Sequence, residues 1–90
     1  MLITWNDRKN EVNIKKHGVS FEEAMTVLSN PMMLSNLNKH PSGHRYEYLG
    51  HSSLSRLLFL VTVEKWEDEI RIISAREATS GERKKYEEGI

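Results

Sequence analysis

The sequence predicts an α+β fold, an antiparallel sheet packed by helices in the order β-α-α-β-β-β-β-α. Two helix-start patterns lie before residue 24, a run of strand-like segments fills residues 32–75, and one further helix start follows at Thr79. Helices set apart from a block of consecutive strands, with no β-α alternation, give this class and not a parallel doubly wound one.

Leu2 to Trp5 reads as a short opening strand. Asn6 or Asp7 then caps a helix, because a short side-chain acceptor satisfies the free N–H groups of a first turn. That helix runs to about Lys16 and stops at Gly18, a residue that enters the left-handed conformation without penalty. Its apolar interior residues are Val12 and Ile14, which predicts a thin buried stripe. Ser20 and Glu23 form an S-x-x-E capping box for a second helix, with Phe21, Ala24, Met25 and Leu28 on one apolar face. Asn30-Pro31 ends it.

Met32 to Leu37 is expected to be a strand, and Asn38 to Gly43, with Pro41 and Ser42, a loop. Arg45 to Leu49 alternates with period two, tyrosines on one side and charges largely on the other. Leu57 to Val63, apolar except for Thr62, predicts a central strand covered on both faces. The acids at 64, 67, 68 and 69 mark a turn, and Ile70 to Ala75 returns as a strand. Thr79 and Glu82 form a second capping box, T-x-x-E, opening a last helix from about Ser80 to Glu88.

Ninety residues are enough for one domain, 1–90, near the lower end of what folds alone. No apolar run approaches the roughly 18 residues of a membrane span. Met1 to Trp5 carry no basic segment or cleavage pattern, so no signal peptide is expected, and a cytoplasmic location fits. The absence of cysteine excludes disulfide scaffolds, thiol nucleophiles and cysteine-based zinc sites. Thirteen basic and thirteen acidic residues cancel, so any nucleic-acid affinity requires the charges to be segregated on the surface.

Two groups of residues carry the chemistry. On the first helix Lys9, Asn13, Lys16 and His17 fall within about 100° of arc. They form either a solvated helix face or a phosphate-binding face with an imidazole suited to proton exchange. Around the last strand and helix lie Arg71, Arg76, Glu82, Arg83 and Tyr86. Glu82 also serves the capping box, and Tyr86 is also the aromatic available to dock an otherwise polar helix. His40 and His44 are four apart, but Pro41 and Gly43 argue against the helix that would align them, so no metal site is expected. The serines near His51 do not define a triad, and without a glycine-rich phosphate loop no cofactor is expected.

The blocks KHGVSFEEA (Lys16 to Ala24) and RIISAREAT (Arg71 to Thr79), followed by Glu82, Arg83 and Tyr86, resemble the signature blocks of BrnT-type toxins, members of the wider RelE-like group. The resemblance runs from Trp5 to Tyr86. It implies a RelE-like fold and a ribonuclease that arrests translation as the toxin of a type II toxin–antitoxin system. It also implies neutralisation by a BrnA-like antitoxin whose DNA-binding part represses the operon, in a heterotetramer containing a toxin homodimer.

Metal-free RNA cleavage needs a base for the 2′-OH, cations for the phosphorane and an acid for the leaving 5′-oxygen. The positions matching the family offer His17, Glu82 and Tyr86 for proton transfer, with Lys9 and Arg76 as cations. Arg76 suits phosphate stabilisation because its planar fork matches phosphate oxygens. Either Glu82 or His17 is the base. Lys16, Arg45, Arg56, Arg71 and Arg83 are expected to hold RNA, and Tyr46 or Tyr48 either stacks a base or packs in the core. The competing reading is a non-catalytic partner-binding module, or a degenerate toxin, acting in transcriptional control of the operon.

Overall fold

The computed structural model describes residues 2–40, 43–66 and 68–89. In chain order the elements are β1 (Leu2–Thr4), α1 (Asp7–His17), α2 (Phe21–Val27), β2 (Leu34–His40), β3 (Gly43–His51), β4 (Leu57–Trp66), β5 (Glu69–Glu77) and α3 (Ser80–Glu88). The expected order holds. One five-stranded sheet runs β1-β5-β4-β3-β2. Its β2 to β5 pairings are antiparallel, whereas β1 lies parallel to β5 at residues 69–71. The sheet is therefore mixed, because α1 and α2 carry the chain back across it before β2.

Alternation along the strands sends residues to two unlike faces. One face holds Tyr48, Leu58, Leu60, Ile72 and Ala75, all buried against Val19, Phe21, Ala24 and Val27 at and around α2. Trp5 meets Phe21 edge-on at 6.4 Å, closing this core near β1. Gly50 lets β3 approach α2 closely, since a Cβ there would meet Met33 Cβ at 3.0 Å and Val27 Cγ1 at 3.1 Å. The other face is covered by α3 at one end alone.

Caps and turns follow the sequence in most places. Asn6 accepts from the Lys9 N–H, Gly18 closes α1 at φ 69°, and Thr79 with Glu82 forms a complete capping box. At Ser20 only half a box forms: its hydroxyl accepts from Glu23 N–H, while the Glu23 carboxylate turns to Ser52 and Arg56.

Three further expectations change. Helix α1 does not dock through Val12 and Ile14, which are 56% and 43% exposed; it docks through Asn10 and Asn13. The reason is the edge of β5. Because β1 pairs only as far as Arg71, the Ala75 N–H and C=O face outward unpaired by any strand. Asn13 takes both, with Nδ2 donating to Ala75 O at 2.7 Å and Oδ1 accepting from Ala75 N at 3.3 Å. Second, β2 extends through His40, so Asn38 to His40 belong to a hairpin strand; Pro41 and Ser42 lie outside the described residues, as does Glu67 of the acidic turn. Third, β4 is covered on both faces only at its start, and its Val61 and Val63 remain half-exposed.

Candidate active site

The half-covered face is the chemically loaded one. Register places Arg45, Val63 and Arg71 in one row across β3, β4 and β5. Glu47, Val61 and Ser74 form the next row, and Leu49, Phe59 and Arg76 the third. An apolar strip on β4 is thus flanked by one arginine on β3 and two on β5. Helix α3 lies over the third row and, with β2, β3 and β4, encloses a depression of about 590 Å³ whose lining includes Asn36, Glu47, Phe59, Glu82 and Lys85.

Arg76 is fixed from two directions. Its guanidinium carbon sits 4.5 Å above the Phe59 ring centroid, a cation–π geometry. Its two terminal nitrogens donate to Glu82 Oε1 and Oε2 at 2.8 and 2.9 Å. Glu82 Oε1 also accepts from the Thr79 N–H at 2.9 Å, so one carboxylate both caps α3 and orients Arg76. The Arg76 hydrogen bonds, aided by those of Thr79, hold the Glu82 carboxyl below the usual carboxylate range against the opposing effect of burial. The same pairing raises Arg76. Tyr86, one turn beyond Glu82, packs edge-on against His51 with centroids 5.2 Å apart.

Other candidates fall elsewhere. Lys9, Lys16 and His17 line a separate groove of about 620 Å³ between α1 and β5, together with Arg8 and Ser74. Neither Arg76 nor Glu82 lines that groove. Arg56 is spent on structure: Nε and Nη2 pair with the Glu23 carboxylate, and Nη2 also reaches Gly18 O at 3.1 Å. Glu23 is buried, takes a further hydrogen bond from Ser52 at 2.6 Å, and is held low mainly by Arg56. Arg71 and Arg45 lie on the open face; Arg71 Nη2 is 3.9 Å from Glu69 Oε2, while its Nε is buried with no hydrogen-bond partner among the described residues. Arg83 is exposed on α3.

Of the two tyrosines, Tyr48 is buried and Tyr46 partly so; they stack on each other at 6.3 Å on the core face, away from Arg76. The aromatic beside the arginine is Phe59, which the sequence reading missed together with Glu47, Ser74 and Lys85. A continuous apolar run such as Leu57 to Val63 gives no alternation from which to assign faces. For Glu47, the charge side of the Arg45 to Leu49 alternation was the available signal.

Fold and site define a class: a small α+β protein with three arginines on a half-open sheet face, one of them forked onto a glutamate of the last helix. Over residues 5–82 the chain matches the family described as the ribonuclease toxin, BrnT, of type II toxin–antitoxin systems. It belongs to that family, so its kin are ribonucleases and an antitoxin partner comes with membership. The fold is similar to the 1.1 Å crystal structure of the Brucella abortus ribonuclease toxin BrnT, with TM-score 0.66, 22% identity, 89% of this chain and 99% of that chain covered. No match was found among curated protein sequences.

Proposed function

We propose that this chain cleaves RNA without a metal ion at the open sheet face, acts in the cytoplasm to arrest translation, and is neutralised by a BrnA-like antitoxin in a heterotetramer. The observation that carries the reading is the Arg76 fork, seated on Phe59 and aligned by Glu82.

RNA phosphate is bound by Arg45 and Arg71 along the apolar strip, and the scissile phosphate takes the Arg76 fork in place of Glu82. Arg76 is the main reason the Glu82 carboxyl is held low, so losing that partner makes the carboxylate a better base. Glu82 then accepts the 2′-OH proton, and the 2′-oxygen attacks phosphorus. The charged phosphorane is stabilised by Arg76, the bond to the 5′-oxygen breaks, and Tyr86 gives that oxygen its proton. The products are a 2′,3′-cyclic phosphate and a 5′-hydroxyl. His17, on the other groove, is assigned to binding and not to the proton transfer.

The test is cleavage of a defined RNA in EDTA by wild type and Arg76→Ala. Wild-type activity that survives chelation and is lost in the variant supports the reading. Activity abolished by EDTA removes the metal-free step, and a fully active, folded variant removes Arg76.

A further inference from the structure

We infer that the groove between α1 and β5 is a second phosphate-binding site, which holds the backbone of a single-stranded RNA one or more nucleotides away from the phosphate at Arg76. The inference rests on the ribonuclease reading and extends its substrate contact beyond the sheet face.

The groove is concave, and among the described residues Arg8, Lys9, Lys16 and His17 line it with no carboxylate beside them. Among the described residues none of the four forms an ion pair with an acid. Helix stability accounts for only half of them. Lys16 and His17 sit in the last turn of α1, where the helix dipole favours cations. Arg8 and Lys9 sit in the first turn, where the same dipole disfavours them, yet they line the same groove. Three cations and an imidazole gathered on one concavity, two of the cations against local preference, match a polyanion.

The groove and the Arg76 face share strand β5. Ser74 lines the groove and, by register opposite Val61, stands on the same side of β5 as Arg76 opposite Phe59. Two residues along a strand separate them, about 7 Å. The wall is rigid, because Asn13 is bonded to both polar groups of Ala75, the residue between Ser74 and Arg76. That spacing is within the reach of one nucleotide of a flexible RNA strand whose neighbouring phosphate lies at Arg76. Such segregation also lets a chain of zero net charge bind RNA.

The probe is a short 2′-O-methyl oligoribonucleotide, which binds but lacks the attacking hydroxyl. Its Kd is measured by fluorescence anisotropy between about 50 and about 200 mM salt. For Lys9→Ala/Lys16→Ala, with an unchanged circular dichroism melt, we expect weaker binding and a salt slope shallower by about 1.4, two phosphates at roughly 0.7 each. The Lys9→Arg/Lys16→Arg variant is expected to restore both. Wild-type affinity and slope in the alanine variant, while wild type binds and cleaves RNA, overturns the groove and leaves the ribonuclease reading intact. Wild type that neither binds nor cleaves RNA overturns both. Unchanged RNA binding with lost binding of poly-L-glutamate assigns the groove to an acidic protein segment and overturns the proposal.

Discussion

Arg56–Glu23 and Arg76–Glu82 are both two-pronged arginine–glutamate pairs, and they lie on opposite faces of the same sheet. In the first, the carboxylate is buried beneath α2, with its side chain 6% exposed, and Ser52 occupies it as well. Arg56 there ties α2 to the start of β4 and to the end of α1 at Gly18. In the second, the carboxylate is part-exposed on the open face, and the arginine rests on an aromatic ring beside a depression. The two arginines are equally exposed, at 31% and 32%, so the difference lies in the carboxylate: buried in the first pair, and in the second open enough for the proposed exchange with a phosphate. Location decides the role.

Substituting each arginine separates the two most sharply. Arg76→Ala is expected to lower the rate of RNA cleavage about 100- to 1,000-fold, the usual loss when one charge-stabilising donor is removed. Its thermal melt should change little, because a part-exposed pair contributes roughly 1 kcal/mol or less. Arg56→Ala should show the reverse. Leaving the Glu23 carboxylate buried and unpaired costs about 2–3 kcal/mol, read from urea unfolding. Loss of activity there should follow the unfolded fraction, and a catalytic defect in fully folded Arg56→Ala would break the distinction.

Acid is the third probe. Glu23 and Glu82 both have carboxyls lowered on folding, chiefly by their arginines. Their contribution to stability is complete above the ordinary carboxylate value and is lost as pH falls through the lowered values. Wild type should therefore lose stability below about pH 4.3. In Glu23→Gln the gap to wild type should narrow as pH falls through that window, measured by urea unfolding at successive pH values. A constant gap would mean that the Glu23 carboxyl is not lowered. The smallest effect is expected from Phe59→Leu, which keeps bulk but removes the ring under Arg76. A cation–π contact of about 0.5–1 kcal/mol corresponds to roughly 2- to 5-fold in kcat/KM.

Much of this was legible in residues 1–90. Capping residues at Asn6, Ser20 and Thr79, the stop at Gly18 and the alternation of Arg45 to Leu49 each report local geometry, which neighbouring residues fix. Arg76, Glu82 and Tyr86 were legible as a group because strand end and helix turn bring them near each other within a short stretch. The pairing of Arg56 was not legible for the opposite reason: its partner Glu23 lies 33 residues away, and nothing near Arg56 announces it. The docking of α1 was hidden in the same way, since an unpaired edge at Ala75 exists only once β1 has been seen to stop at Arg71.

The order of elements, their caps and the family blocks are written in the chain, because hydrogen bonds and periodicity within a few residues determine them. Which face each arginine occupies, and whether its fork is already filled, was decided by tertiary structure alone. Strand register converts a shift of one residue into the opposite side of the sheet, and long-range partners then settle whether a carboxylate is buried under its arginine or left part-exposed beside it.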